Sequence, residues 1–355
     1  MGEANTLENL LSDSTSSDLR LSASRVSSFI QNGPSILEKR KKISNEGIKM
    51  GKLIDLLLFE KERFKDEYVI NDFKKPTASL GVVADNVLNS LSAEKITAAL
   101  DIVDEEVIDV KSYFLDTLLH ASKGLWVKTT DPAKRLEKIL TSEFVTYVYN
   151  TALSEGKEVI TVVEKDNADL TVNALRTHSH TKHLFDTDLE NHYQFEVTFN
   201  YRGFDFLAYL DMVQVDHKNK TIAIKDLKTG AKNESQFLSS VLAFNYYIQA
   251  KLYQIAATKV MELLQIEGYT VLPFDFVYIS RYDKLPAIYT FTEKWEEAAL
   301  NGFTTNRGIY FPGLDETVDL IKWHWDNKVF NCSKLTYESN GHKQLSDNFI
   351  NVDDE

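Results

Sequence analysis

The chain has 355 residues, 43% hydrophobic and 26% charged, with 14 Gly and 6 Pro, an ordinary globular composition for one large domain or two modest ones. Its single cysteine, Cys332, excludes an internal disulfide framework and any cysteine-ligated zinc or iron–sulfur cluster built by one chain, and points to a reducing cytoplasm. The formal net charge of −13 weighs against a nucleic-acid partner, although a local basic groove or carboxylates gathered for a divalent ion would both be compatible with it.

Residues 1–20 are rich in Ser, Asp and Glu and are expected to form a flexible leader. They lack the charged region and apolar core of a secretory signal. Met1-Gly2 with Thr6 fits a myristoylation pattern as well as it fits a cloning remnant. No apolar run approaches the ~20 residues of a membrane span, so a soluble protein without a membrane partner is expected. Order should begin at "LSASRVSSFI", where Ser22 can cap a helix carrying Val26, Phe29 and Ile30. After the basic run Lys39-Arg40-Lys41-Lys42, "GIKMGKLIDLLLFEKERF" predicts a helix with Ile48, Leu53, Leu56 and Leu57 inward.

Residues 71–190 read as mostly helical, with a strand or two around "KEVITVVEKD". His178, His180 and His183 in "RTHSHTKHLF" suggest zinc at first sight, but their spacing is not the i, i+4 pair that sets two ligands on one helical face, and a solvated turn is the simpler reading. From "HYQFEVTFN" the period changes. "RGFDFLAYLDMVQVD" and "TIAIKDLKTG", separated by "HKNK", predict an antiparallel hairpin whose first strand is interior. A long helix is expected over 234–266, with Phe237, Val241, Phe244, Ile248, Leu252 and Ile255 on one side. The strands "DFVYIS" and "AIYTFT" and helices around Trp295 and "LIKWHWDNKVF" complete the chain. The order predicts an α/β (α+β) fold, a sheet packed by helices.

Within the hairpin, Asp226 and Lys228 are two apart and share a strand face with Ile222 and Ile224. Asp211 lies toward the end of the neighbouring strand, so the two carboxylates can converge. With the backbone carbonyl of Leu227 they make an oxygen-rich site suited to Mg²⁺ or Mn²⁺, and Lys228 can orient a water there and favour the ionised acids. An Asp226–Lys228 ion pair at a strand end is the plain structural alternative.

Asp211 followed by "DLK" resembles the signature of the PD-(D/E)XK nuclease superfamily. Gln249 and Tyr253 in "NYYIQAKLY" match the Gln-x-x-x-Tyr element of RecB-type nucleases, and Glu196 with Gly203 resembles their lead-in to the metal-binding Asp. "LSASRVSSF", "GIKMGKLIDLLLFEKERF" and "FVYISRYDKLPAIYTF" resemble the exonuclease VIII (RecE-type) branch, so the likeness runs from about Leu21 to Leu300. It implies a mixed central β-sheet flanked by helices, with a helical portion over 21–190 holding the first motif, a nuclease core over 191–300 and C-terminal helices and tail over 301–355.

By this resemblance Asp211 and Asp226 would be metal ligands and Lys228 the water activator. Gln249 and Tyr253 would contact the substrate backbone or brace Lys228. Glu196 would hold a metal-bound water or second ion, or be an exposed strand acid. The family's early histidine, fourth after a glycine, is replaced by Asp55 after Gly51; a carboxylate there can ligate a hard cation or sit on a helix surface. Gly33-Pro34 stands where iron–sulfur relatives carry Cys-Pro, so no Fe–S cluster is expected. Lys39, Arg40, Lys41, Lys42, Lys49 and Lys52 can neutralise phosphates or form a solvated face. Phe244, Tyr246 and Tyr247 can stack on unpaired bases, with core packing the expected place for Phe244. The implied activity is a 5′-to-3′ exonuclease on duplex DNA ends, phage-encoded and acting in recombination, with a ring-shaped homo-oligomer and a strand-annealing or single-strand-binding partner. An endonuclease or single-strand nuclease of the same fold, and a non-catalytic DNA-binding or assembly protein that kept it, are the alternatives.

Overall fold

The computed structural model describes residues 19–38, 46–70, 74–103, 106–126, 128–154, 156–185 and 188–342, with 101–103 and 106–109 described by backbone alone. The leader expected over 1–20 therefore lies outside the described residues except for Leu19 and Arg20, and the basic run Lys39, Arg40, Lys41, Lys42 lies wholly outside them. The chain divides into two compact units, residues 1–55 with 171–355, and residues 56–170.

The first unit opens with α1 (Ala23–Asn32), capped as expected by Ser22, whose Oγ accepts from the Arg25 N–H at 3.3 Å. Helix α2 (Glu46–Phe59) follows and runs into the second unit. Leu53, Leu56 and Leu57 are buried, but Ile48 is exposed. Ile48 lies five positions before Leu53, which turns it well off the buried stripe.

In the second unit, α3 (Phe64–Glu67) leads to β1 (Tyr68–Ile70), which pairs in parallel with β4 (Glu158–Ile160). Between them lie α4 (Ala78–Ser90), α5 (Ala93–Thr97), the ribbon β2 (Leu100–Val103) and β3 (Glu106–Val110), then α6 (Ser112–Ala121), α7 (Pro132–Ile139) and α8 (Ser142–Leu153). Val83, Val87, Ile96, Phe114, Leu118, Ile139, Phe144 and Val148 form their shared core. The run "KEVITVVEKD" is strand only at its start. Thr161 and Glu164 cap each other reciprocally, Thr161 N–H to Glu164 Oε2 at 2.7 Å and Glu164 N–H to Thr161 Oγ1 at 3.1 Å, and this box starts α9 (Val162–Thr177).

The first unit's sheet is mixed, in the order β10-β9-β7-β6-β5, with β8 (Thr270–Val271) beside β7. Strands β5 (Glu190–Tyr201), β6 (Phe204–Asp216) and β7 (Thr221–Gly230) form an antiparallel meander. The β5–β6 turn holds Arg202 and Gly203 both at positive φ, 50° and 81°, the two-residue geometry that matches strand twist. Strands β9 (Asp275–Ser280) and β10 (Pro286–Thr290) are antiparallel to each other, while β9 runs parallel to β7. The intervening crossover is helical.

That crossover is not the single helix expected over 234–266. It consists of a 3₁₀ turn (Glu234–Gln236), α10 (Phe237–Ala243) and α11 (Tyr246–Leu263), broken by Asn245 at φ 54°. Asn is one of the few residues that enter the left-handed region readily. The break turns Phe244 out of the apolar stripe: it is 53% exposed, against the core placement expected for it. Ile248, Leu252 and Ala256 of α11 meet Phe206, Ala208 and Leu210 of β6 with Ile222 and Ile224 of β7 in the main core. Helix α12 (Glu293–Asn301), the ribbon β11 (Phe303–Thr304) and β12 (Tyr310–Phe311), α13 (Leu314–Asn327) and α14 (Lys334–Glu338) complete the unit. Among the described residues no helix is long and apolar enough to cross a membrane.

Candidate functional site

The site is created where two paired strands separate. The β6–β7 ladder runs from Asp216↔Thr221 to Met212↔Lys225 and stops. One step further, Asp211 would stand opposite Asp226, and opposed residues of an antiparallel pair share a face. Beyond that point Leu21 occupies the freed edge of β6, its N–H donating to Asp205 O and its carbonyl accepting from Leu207 N–H, each at 2.9 Å. The Leu227 N–H, left without a strand partner on that side, donates to Asp211 Oδ2 at 2.8 Å. The ladder thus gives way to a carboxylate. The carbonyls of Ile222 and Gly230 serve the β8–β9 side of β7. By strand alternation, the Leu227 carbonyl faces the same edge as its N–H, toward Asp211.

Asp226 is 2% exposed. Its Oδ1 accepts from Gln249 Nε2 at 2.7 Å, and the same nitrogen lies 3.0 Å from the Tyr253 hydroxyl, so residues one turn apart on α11 brace one carboxylate. Its Oδ2 forms a close ion pair with the Lys228 ammonium. Lys228 also lies 4.8 Å from the centre of the Tyr246 ring. The neighbouring lysine, Lys225, is accounted for elsewhere by a buried pair with Asp275 at 2.5 Å.

Asp55 joins this group from α2. One turn earlier, Gly51 lies against β7 so closely that a Cβ would come within 3.3 Å of Thr229 Oγ1. That close approach brings the following turn to the carboxylates. Burial above all, then the charges of Asp211 and Asp226, push the Asp55 carboxyl well above its ordinary range, with Lys228 opposing. Burial and then the Asp226 charge push Asp211 up to about 7, opposed by Lys228, the Leu227 N–H and Gln194. Asp226 is also raised by burial, against the pull of Lys228. Burial disfavours the Lys228 charge, but Asp226 and Asp211 outweigh it and keep the amine protonated.

Asp226 is buried and Asp55, Asp211 and Lys228 are half-buried, and these three acids and one amine leave an excess of negative charge that protons relieve in the absence of another cation. The available ligand atoms are carboxylate and carbonyl oxygens. These residues fit a hard divalent cation and not a soft one. Among the described residues no three His, Cys, Asp or Glu side chains already converge as a ligand cage; Asp55, Asp211 and Asp226 are linked through their charges.

Other expected residues fall elsewhere. Glu196 is exposed, its carboxylate accepting from the Tyr209 hydroxyl across the strand pair. Lys49 and Lys52 are exposed on α2. Tyr247 is fully buried, its hydroxyl donating to Pro312 O at 3.0 Å, and so is a core residue and not a stacking surface. His178 and His180 pack ring to ring at 4.4 Å, and His180 Nδ1 lies 3.3 Å from Pro286 O.

Gln194 was not singled out by its sequence. It would pair with Asp211 across β5–β6, but it adopts φ 48° and drops out of the ladder, and its Nε2 donates to Asp211 Oδ1 at 3.3 Å. Its one sequence signal is a polar residue between Tyr193 and Phe195 in an otherwise β-rich run.

The family model of the PD-(D/E)XK nuclease superfamily matches residues 115–301. The match covers more than half of the chain and includes Asp211, Asp226, Lys228, Gln249 and Tyr253. The chain belongs to this superfamily, and its mixed sheet flanked by helices, with a helical N-terminal region, is consistent with that fold. No curated protein matches. Among solved structures, the crystal structure of a "Putative exonuclease" from Eubacterium rectale is similar over 96% of this chain and 89% of that chain, at 13% identity and a TM-score of 0.37.

Proposed function

We propose that this chain is a divalent-metal-dependent deoxyribonuclease and, within that class, a RecE-like 5′-to-3′ exonuclease acting on duplex DNA ends. The observation that carries the nuclease reading is the convergence of Asp211 and Asp226 where β6 and β7 part, with the Lys228 ammonium on the second carboxylate. Asp211, Asp226 and the Leu227 carbonyl, with Asp55 nearby, would hold Mg²⁺ or Mn²⁺, which polarises the scissile phosphate and makes water acidic enough to attack it. Glu196 is not assigned a ligand role.

Lys228 is held protonated, so it acts as a charged donor and not as a base: it orients the attacking water and stabilises the negative charge that develops on it. Gln249 fixes the rotamer of Asp226 through Oδ1, and the Tyr253 hydroxyl fixes Gln249. Polarity, duplex preference, a ring-shaped oligomer, a strand-annealing partner and a role in phage recombination rest on the resemblance of the 21–29, 47–64 and 276–291 segments to the RecE-type branch.

The test is incubation of the protein with linear duplex and covalently closed circular DNA in Mg²⁺. Degradation of the linear form alone, with label released first from 5′ ends, is the expected result. Cutting of closed circles would replace the exonuclease reading with an endonuclease.

A further inference from the structure

Phe244 is an aromatic ring placed in water by construction. Continued helix through 244 and 245 would have carried it into the stripe with Val241 and Ile248, both buried. Asn245 prevents this with its left-handed backbone, and it is itself 3% exposed. The corner is fastened to α1: Gln31 Nε2 donates to Ala243 O at 3.0 Å, and Asn245 Nδ2 reaches Ser27 O at 3.5 Å. Backbone bonds from Phe244 N–H to Ser240 O at 3.0 Å and from Asn245 N–H to Leu242 O at 3.3 Å close it from the other side. The corner thus holds a half-exposed aromatic ring in a fixed position.

The ring is also close to the catalytic lysine. Phe244 lies 5.5 Å from Tyr246, tilted by 35°, and the Lys228 ammonium lies 4.8 Å from the Tyr246 ring centre. The Phe244 ring is therefore within about 10 Å of that ammonium, since the two distances cannot add to more. Tyr246 is wedged against Phe237 and Phe276, so this row of rings has a fixed inner end and an exposed outer one. A group bound on Phe244 while its chain passes Lys228 must carry both a flat face and a nearby phosphate. An unpaired nucleotide has both; a base within a duplex hides its faces in the stack.

We propose that Phe244 is a platform for an unpaired nucleobase, stacking on a base of the strand being cut close to the scissile phosphate. The proposal rests on the nuclease reading and adds a requirement to it: the end of a duplex must open before its strand is positioned. Because every base has a π-face, the platform should tolerate all four bases.

The experiment is a cycle between the ring and the base. The parent and Phe244→Ala are assayed on matched oligonucleotides carrying either normal nucleotides or a single abasic nucleotide at successive positions beside the cleaved bond. The expected result is a fall in kcat/KM of about 10-fold for the variant on intact strand. A similar fall should occur for the parent at one abasic position, with no further loss when both are combined, and Phe244→Trp should restore the rate. Equal losses for Phe244→Ala on intact and abasic strands would mean a structural role and overturn the proposal, as would no loss at all. A second arm needs no cleavage: Phe244→Trp in EDTA should show tryptophan quenching, beyond that of the parent, by single-stranded oligonucleotide and not by its abasic counterpart. If the parent cuts no DNA, the nuclease reading fails, and this arm alone decides the platform; absence of quenching there overturns it too.

Discussion

Asp211 concentrates the electrostatics of the site. Its folded-state pKa is pushed up to about 7 from an ordinary 3.8, by burial first and by Asp226 second. Bound protons therefore favour the folded protein: this contribution is fully present below about pH 4 and is lost as pH rises to about 7. In EDTA the melting temperature should fall over that window, and Asp211→Asn should flatten the fall and melt a few degrees higher at pH 7. Mg²⁺ should remove much of the same fall by replacing protons as the countercharge. A parent and variant with superimposable pH profiles in EDTA would contradict this. Gln194, facing the same carboxylate, stores backbone strain at φ 48°. Gln194→Gly should keep stability within about 1 kcal/mol, because relief of strain offsets glycine's entropy, yet slow cleavage several-fold through the lost bond to Asp211 Oδ1. Thermal melts beside single-turnover rates separate the two effects. At this scale Asp211, Asp226 and Lys228 were legible because a strand's two-residue period fixes which side chains share a face. Gln194 was not, because its bond to Asp211 depends on leaving that period.

Elements made the site where regular pairing ended. The hairpin was readable from two β-rich runs about a four-residue turn, and its antiparallel register placed Asp211 one step beyond the last pair. What the pattern did not reveal was the edge contact of Leu21, a residue far away in sequence that pairs with β6 at Asp205–Leu207. The helix break was missed for a related reason. Phe237, Val241, Phe244 and Ile248 keep helical spacing across it, and the left-handed Asn245 has no periodicity signal of its own. The Thr161–Glu164 box that starts α9 lies inside the β-branched run Val159–Val163, whose composition pointed to strand. The corner supports a prediction at this scale: Asn245→Gly should fold with nearly parent stability. Asn245→Val, which must hold a β-branched residue at φ 54°, should lose about 1–2 kcal/mol in urea melts. Equal midpoints for the two variants would show that the left-handed corner is not under constraint.

The whole molecule explains why bulk properties read ambiguously. A net charge of −13 argued against DNA, yet part of that charge sits on Asp55, Asp211 and Asp226, which are linked through their charges in one partly buried group. The helical character of much of 71–190 was legible from composition and spacing. The grouping of 1–55 with 171–355 was not, because it depends on contacts between segments separated by more than 100 residues. Asp55 shows the consequence: as a sequence position it was equally a helix-surface acid, and only the packing of Gly51 on Thr229 brings it to the hairpin. In the proposed function the paired acids of the hairpin and the adjoining lysine hydrolyse phosphodiester bonds with a divalent ion. The most direct measurement is the rate at which parent and Asp226→Ala release nucleotides from linear duplex DNA in Mg²⁺, with folding of both checked by circular dichroism. The account predicts a loss of at least about 100-fold in a folded variant; equal rates from the two proteins would contradict it.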